Sequence, residues 1–238
     1  MNKNIERINK IKLFNNIENG ALQQLLKNAK INNHAKEKNL FIKDDKINFF
    51  HIIIEGAVKL STVNFEGEEA VVKITQKQDY IFDVFTDIAL CDAIAIEKCE
   101  TLSIPIEEIR KVIRENNILA YNFLLSETMQ NKKLINQIIQ LKLASAKEKL
   151  GQFLLENSFQ NGDRLNNIDL KYEKSLIASY LGIKPETLSR TLQKLKEEGE
   201  ISTQKNKIII NKKESLCKYC NSDLAAKCNN RDEDFCEQ

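Results

Sequence analysis

The chain lacks long hydrophobic segments. No stretch approaches the ~18 uninterrupted apolar residues of a membrane-spanning helix, and the first residues, MNKNIERINKIKLF, alternate charged with apolar side chains instead of forming a signal peptide. We therefore expect a cytoplasmic protein with no membrane partner. Because that compartment is reducing, its six cysteines are poor candidates for structural disulfides.

The sequence also lacks the residue groups of an enzyme. Paired carboxylates, Ser/His or Cys/His combinations and phosphate-binding loops do not occur on a recognisable scaffold. We expect no catalytic residues and no enzymatic activity.

Positive charge is concentrated near the C-terminus. The whole chain has 36 Lys+Arg and 34 Asp+Glu, a formal net charge of +2 that indicates no partner by itself. Residues 184–213 contain eight basic and four acidic residues, a net charge of +4, which suits a surface that faces phosphates. Residues 214–238 contain three basic and six acidic residues, a net charge of −3, and are predicted to be a separate tail.

Short apolar segments between about Leu40 and Pro105 predict strands. The segments LFI, FFHIII, AVKLSTV, EAVVKI, AIAI and ETLSI are separated by DDK, EG, FEGEE and KQD, which are typical of turns. In AVKLSTV, we expect Val58, Leu60 and Thr62 to face the core. With a short helix before the strands, at about Ala21 to Ala29, residues 1–105 are predicted to form an antiparallel β-roll, and the fold class is α+β.

After Pro105 the apolar period becomes helical and continues to about Leu143, with one break near Asn116. Apolar positions with a 3-4 spacing form a seam of roughly three heptads along this helix. The apolar seam consists of Tyr121, Leu124, Leu125, Thr128, Met129, Ile135, Ile138, Ile139 and Leu141. It predicts a dimerisation helix within residues 106–145; the alternative is an ordinary core helix.

Residues 146–213 have the pattern of a winged helix-turn-helix. A helix at about Ala146 to Glu156 is followed by a turn in NGDRLNN, and a short helix then meets a turn at Gly182. The next helix begins at Pro185, where a missing N–H costs nothing. After Gly199, EISTQKNKIIIN predicts two strands joined at 204–206, which form a wing. The alternative is a generic helical hairpin followed by a β-hairpin.

One face of the second helix is polar and is suited to a DNA major groove, whereas Leu188, Leu192 and Leu195 form the opposite, buried face. Arg190 can donate two hydrogen bonds to guanine O6 and N7, and Glu186 can accept one from cytosine N4, so both can read one G·C pair. The predicted DNA-binding residues are Glu186, Thr187, Ser189, Arg190 and Gln193 on the helix, with Lys205 and Lys207 in the wing.

The tail contains a C-x2-C-x7-C-x7-C array, formed by Cys217, Cys220, Cys228 and Cys236. A C-x2-C pair can chelate one metal or one edge of a cluster, and two further cysteines can complete a four-thiolate shell. The spacing matches neither a common zinc ribbon nor a ferredoxin. The array is therefore predicted to hold a metal, as an iron–sulphur cluster or as zinc, with thiol redox chemistry as the alternative.

The order of these parts resembles the CRP/FNR superfamily of bacterial transcription regulators over about residues 10–213. IIIEGAVKLSTVNFEGEEAVVKI is similar to its central barrel strands, AKEKLGQFLLE to the helix that follows its dimer helix, and PETLSR to the recognition motif E-x-x-S-R of the FNR branch. The resemblance implies a cyclic-nucleotide-binding-like jelly roll and a homodimer that binds double-stranded DNA. Glu186, Ser189 and Arg190 would read an operator like TTGAT-N4-ATCAA, and RNA polymerase is a candidate partner.

The resemblance also suggests what the protein senses. Members that bind cyclic nucleotides carry Phe-Gly-Glu and then Arg-Ser/Thr-Ala, whereas Phe82 here is followed by Asp83 and Val84, and residues 86–97 contain no Lys or Arg. A buried phosphodiester would lack a cation, so we expect no cyclic nucleotide. Some members carry iron–sulphur ligands at the C-terminus, and this resemblance favours a [4Fe-4S] cluster on the four tail cysteines.

Two other functions are compatible with the sequence. One is a haem-based nitric-oxide-sensing regulator with a structural zinc tail, for which His34 and His51 are the only histidines. The other is a β-roll adaptor that does not bind DNA. We expect His51 to be a packed strand residue, and Cys91 and Cys99 to be small buried side chains.

Overall fold

The computed structural model describes residues 7–8, 10–81, 85–160, 167–169, 172–204, 207–211, 216–220 and 225. The chain divides into two compact units, Met1–Ile135 and Asn136–Gln238. Among the described residues, no helix is both long enough and apolar enough to cross a membrane.

The first unit contains a β-roll that follows helix α1 (Asn19–Lys27). Its described strands form two antiparallel sheets, with the strand orders β1-β8-β3-β6 and β2-β7-β4-β5, so the predicted fold class is confirmed. The strands are β1 (Lys30–His34), β2 (Asn39–Phe41), β3 (Phe49–Glu55), β4 (Val58–Val63), β5 (Glu69–Thr75), β6 (Tyr80–Ile81), β7 (Asp92–Ala95) and β8 (Cys99–Pro105).

The middle of β3 is buried on both faces of the first sheet, which explains its nearly continuous apolar run. Successive side chains of a strand point to opposite faces. Phe50 and Ile52 therefore join the core that the helices cover, whereas Ile53 joins a second core between the two sheets, with Val58 and Cys99.

Two helices follow the roll, α2 (Ile106–Glu115) and α3 (Asn117–Leu143). They are separated by Asn116, which has an extended backbone. Its side-chain Oδ1 accepts a hydrogen bond of 2.9 Å from the Leu119 N–H, and this satisfies one of the donors left open at the start of α3. The predicted break near Asn116 is confirmed.

The second unit contains α4 (Ala146–Gln160), β9 (Asn167–Asp169), α5 (Lys174–Tyr180), α6 (Pro185–Glu197), β10 (Ile201–Gln204) and β11 (Lys207–Ile210). Strand β9 was not expected: Asn167 lies in the stretch predicted to be a turn, but it begins a strand that pairs with β11, and 161–166 lie outside the described residues. The sheet has the order β10-β11-β9 and packs with the helices around one hydrophobic core.

Candidate functional site

Helices α5 and α6 are joined by a tight turn. Gly182 has a φ of +61°, a conformation that residues with a Cβ rarely adopt. The Ile183 N–H donates to the Ala178 carbonyl over 3.0 Å, and Ala178 is fully buried. Pro185 occupies the first turn of α6, as predicted. These contacts fix α6 on the core of the second unit.

Helix α6 has the two faces that the sequence predicts. Leu188, Leu192 and Leu195 are buried in the core of the second unit. The exposed side chains include Glu186, Ser189, Arg190 and Gln193. The face that is suited to contact bases is therefore available to solvent.

Two of the predicted DNA-binding residues of α6 are less available. Thr187 is half-buried, and its carbonyl accepts a 2.7 Å hydrogen bond from the Thr191 hydroxyl. The Gln193 amide donates to a carboxylate oxygen of Glu197 over 3.0 Å, so this bond must open before the amide can reach a base.

The predicted wing is an antiparallel pair of strands. Ile201 pairs with Ile210, and Gln204 pairs with Lys207. Ile208 and Ile210 are buried and attach the pair to the core, whereas Lys207 is exposed near its tip. Lys205, the other predicted wing contact, lies outside the described residues.

The turn that contains the C-x2-C pair begins at Leu216, which packs against the same core as α6. Leu216 is fully buried there, Cys217 is half-buried and Cys220 is exposed. The Cys220 N–H donates to the Cys217 carbonyl over 2.9 Å, so the two cysteines lie on one turn, a geometry that suits chelation by a C-x2-C pair. Leu216 and Tyr219, near the start of the predicted tail 214–238, pack against this core.

The remaining predicted ligands, Cys228 and Cys236, lie outside the described residues. Within the part of the chain that the structure describes, no group of three or more His, Cys, Asp or Glu residues could hold a metal ion. Thiolates suit both iron–sulphur clusters and zinc, so the turn of Cys217 and Cys220 fits either group.

The cysteines of the β-roll are packed, as predicted. Cys91 and Cys99 are buried in the core between the two sheets. Burial, with a smaller effect of Glu97 and Glu100, raises the pKa of Cys99 to about 11. The pKa of Cys91 is also raised, mainly by burial. Both thiols are therefore protonated at neutral pH and poorly suited to bind metal.

The two histidines are bonded within the first sheet. His51 lies 2.8 Å from the Ser103 hydroxyl through Nδ1, and His34 lies 3.0 Å from the Thr101 hydroxyl through Nε2. Burial, with a smaller effect of His34, lowers the pKa of His51 to about 4. His51 also packs against the ring of Phe41. It is a packed strand residue, as predicted.

Sequence reasoning missed a cation beside the segment that replaces the phosphate cassette. Arg110 of α2 is paired with Asp87 over 2.7 Å and with Glu107 over 2.9 Å. No local pattern connects Arg110 with Asp87, because the two residues are 23 positions apart in the chain. Phe82, Asp83 and Val84, which replace the family's Phe-Gly-Glu, lie outside the described residues.

A β-roll, a long helix and a helix-turn-helix with an exposed polar face and a wing define a winged-helix DNA-binding regulator. Comparisons with known proteins agree. Residues 148–219 match the Crp-like helix-turn-helix domain, and residues 32–116 match the cyclic nucleotide-binding domain. The chain belongs to the CRP/FNR family of transcription regulators, and it is therefore a regulator and not an enzyme.

Individual relatives support this assignment. The chain is 29% identical over 194 residues to the global nitrogen regulator of Nostoc sp., covering 76% of this chain and 85% of the relative. It is 27% identical over 181 residues to the anaerobic regulatory protein of Haemophilus influenzae, covering 74% and 70%. The structure of FixK2 from Bradyrhizobium japonicum shares the fold, with a TM-score of 0.75 at 17% identity, covering 82% of this chain and 98% of that one.

Proposed function

We propose that the protein is a homodimeric transcription regulator that binds a palindromic operator similar to TTGAT-N4-ATCAA and responds to redox state or to a gas through a [4Fe-4S] cluster on its tail. The observation that carries the DNA-binding part is the exposure of Glu186, Ser189 and Arg190 on one face of a helix whose other face is buried. A cytoplasmic location and contact with RNA polymerase are parts of the same proposal.

Base readout follows from the chemistry of this face. The guanidinium of Arg190 can donate two parallel hydrogen bonds to guanine, and the carboxylate of Glu186 can accept one from the paired cytosine. Ser189 discriminates weakly, because a hydroxyl both donates and accepts. Lys207 in the wing supplies charge for phosphates and no base information.

The exposed seam of α3 supports a homodimer. Every residue of the apolar seam is exposed, and the exposed large apolar side chains of this helix have exposed fractions from 41% to 82%. A contiguous apolar surface of this kind marks an interaction site. A helix of 27 residues is about 40 Å long, so a second copy of the same helix could cover the seam along its whole length.

The tail cysteines are the proposed ligands of the cluster. Cys217, Cys220, Cys228 and Cys236 would hold it, and when bound it would supply one-electron chemistry and reactivity toward oxygen and nitric oxide. The name of the Haemophilus relative, anaerobic regulatory protein, is compatible with a response to oxygen. Zinc on the same thiolates, with the β-roll as sensor, is the second candidate. Haem ligation by His51 is disfavoured by its bond to Ser103.

We expect anaerobically purified protein to be coloured. A cubane cluster gives broad visible absorption and about four irons and four sulphides per chain. Serine at any one of the four tail cysteines should abolish the colour, because losing one thiolate opens the shell to solvent. Air or nitric oxide should bleach the protein and change its operator affinity about 5- to 150-fold, the usual range for coupled sites.

The matched controls are Cys91→Ser and Cys99→Ser, which should leave the spectrum nearly unchanged because both thiols are buried in the first unit. Colourless protein with one zinc per chain would contradict the cluster and assign the tail a structural role. Metal-free protein with reactive thiols would leave thiol redox chemistry alone. A deletion that tests the tail should begin after Cys220, because Leu216 belongs to the core of the second unit.

Cyclic nucleotides should not bind. Residues 86–97 supply no cation, and Arg110 is already paired with Asp87 of this segment. Calorimetric titration with micromolar cyclic AMP or cyclic GMP should give no saturable heat, and operator affinity should not change. A cyclic-nucleotide-binding family member titrated in the same buffer is the positive control. Saturable binding to this chain would overturn the prediction.

A further inference from the structure

Gly151 of α4 leaves space for the ring of Tyr219 in the tail. A Cβ at this glycine would overlap Cδ2 of Tyr219 and would lie 2.7 Å from its Cε2. Side chains cannot approach so closely, so the Tyr219 ring occupies space that only a glycine leaves open. Tyr219, one of the two residues between the two described tail cysteines, is thus fitted against the helix that precedes the helix-turn-helix.

Lys218 connects the same turn with the segment between α6 and the wing. Its Nζ donates to Oε1 of Glu200 over 2.8 Å. Glu200 precedes β10, and its side chain is only 7% exposed. Its other oxygen, Oε2, accepts no hydrogen bond from the described residues. A buried carboxylate depends strongly on its cations, so Lys218 matters for the placement of this segment.

A second cation meets the same carboxylate from α4. Lys147 lies 3.6 Å from Oε1 of Glu200 and also pairs with Glu198, at the C-terminal end of α6. The tail turn, α4 and the connection from α6 to β10 therefore share one ionic cluster. Its members are Lys147, Glu198, Glu200 and Lys218.

Cysteines and packing residues follow one another in this turn. Leu216, which is fully buried with Leu188 and Leu195 of α6, precedes Cys217, and Tyr219 precedes Cys220. A change in the positions of the two thiolates that exceeds what rotation about χ1 allows moves the backbone of these neighbours, because each is joined to a cysteine by one peptide bond. The side chains that move are those that touch α4, Glu200 and the core.

We propose that Lys218 and Tyr219 are positioning residues that transmit the state of the Cys217 and Cys220 thiolates to the recognition helix and the wing. Tyr219 acts through Gly151, and Lys218 acts through Glu200. This inference rests on the proposed function of the tail, and it adds the route by which loss of the metal alters DNA affinity.

The test compares operator affinity before and after removal of the metal. Protein prepared anaerobically is divided in two, and one half is exposed to air, then to a chelator and a thiol reductant. Each half is titrated against the TTGAT-N4-ATCAA duplex, and the ratio of the two dissociation constants measures the coupling. The unaltered chain should give a ratio of about 5 to 150 in either direction.

Two variants undock the ring from opposite sides. Tyr219→Ala removes it, and Gly151→Ala places a methyl group where it lies, although alanine is otherwise preferred to glycine inside a helix. Both should keep the metal content of the unaltered chain and give a ratio within about twofold of 1, by the loss of coupling between sites. Lys218→Met should also move the ratio toward 1. Tyr219→Phe, which keeps the ring, should retain the ratio of the unaltered chain.

The matched control is Gly20→Ala, which makes the same chemical change in helix α1, where a Cβ meets nothing within 4 Å. It should leave the ratio unchanged. If the ratio differs from 1 in the unaltered chain and stays the same in Tyr219→Ala and Gly151→Ala, the route through Tyr219 is wrong, but the sensing role of the tail is not contradicted. A ratio of 1 in the metal-loaded, unaltered chain would overturn both the route and the sensing role of the tail.

Discussion

Replacing Ile135 and Ile139 by glutamate is expected to convert the protein to a monomer and to lower its operator affinity at least about 100-fold, because the second half-site is then bound without the gain from linkage. Both side chains are exposed on α3, so the substitutions should cost the isolated chain little stability. At an interface between two copies, the same changes bury four carboxylates with no cation beside the seam other than Lys132 and Lys142. Sedimentation velocity and an operator titration measure the two effects.

Lys133→Glu is the matched control. It changes the charge of the chain by −2, as the double substitution does, but it lies about 160° from Ile135 and about 120° from Ile139 around the helix. We expect this variant to remain dimeric and to keep most of its affinity. A double variant that still sediments as a dimer would show that the interface lies elsewhere.

The strands that could be predicted are those with strong local patterns. FFHIII and ETLSI are apolar enough to be recognised as β3 and β8, and both lie centrally in the first sheet. The segment KINNH could not be recognised, because it is polar and forms β1 only by pairing with β8 at the edge of the sheet. The short strands β6 and β9 likewise depend on partners that are distant in sequence.

One prediction of side-chain burial was wrong. The alternation of β4 predicts a core position at Thr62, but Ser61 is buried and Thr62 is half-buried. Lys59 and Ser61, two positions apart on β4, both donate to Oε1 of Glu69 on β5, so Ser61 lies on the face of Lys59 and is buried by this pair. Such a contact depends on pairing between strands, so a period of two along one strand cannot reveal it.

The recognition face could be predicted for the same reason as the central strands. The positions Glu186, Ser189, Arg190 and Gln193 follow a helical spacing, and one amphipathic helix contains all the required information. The contact between Gly151 and Tyr219 could not be predicted, because the two residues lie 68 positions apart in the chain. The only local signal was a single glycine inside the helical pattern AKEKLGQFLLE.

Arg190→Ala should weaken binding to the palindromic operator by about 1–3 kcal/mol and should relax the preference for G·C at the pair that Arg190 contacts. Arginine is the donor in this contact, so its loss removes discrimination at one position and leaves the other base contacts in place. Lys207→Ala in the wing is the control. It should weaken all duplexes about equally and reduce the slope of affinity against salt by about 1, because it removes a phosphate contact.

The most direct test is a titration of the unaltered chain and Arg190→Ala against two duplexes, TTGAT-N4-ATCAA and the same operator with both G·C pairs changed to A·T. We predict that the unaltered chain binds the first duplex with two chains per duplex and at least about fivefold more tightly than the second, the lower end of what one good bidentate contact gives. Arg190→Ala should bind the two almost equally. Equal affinity of the unaltered chain for both duplexes, or the same loss on both in Arg190→Ala, would contradict readout by this helix.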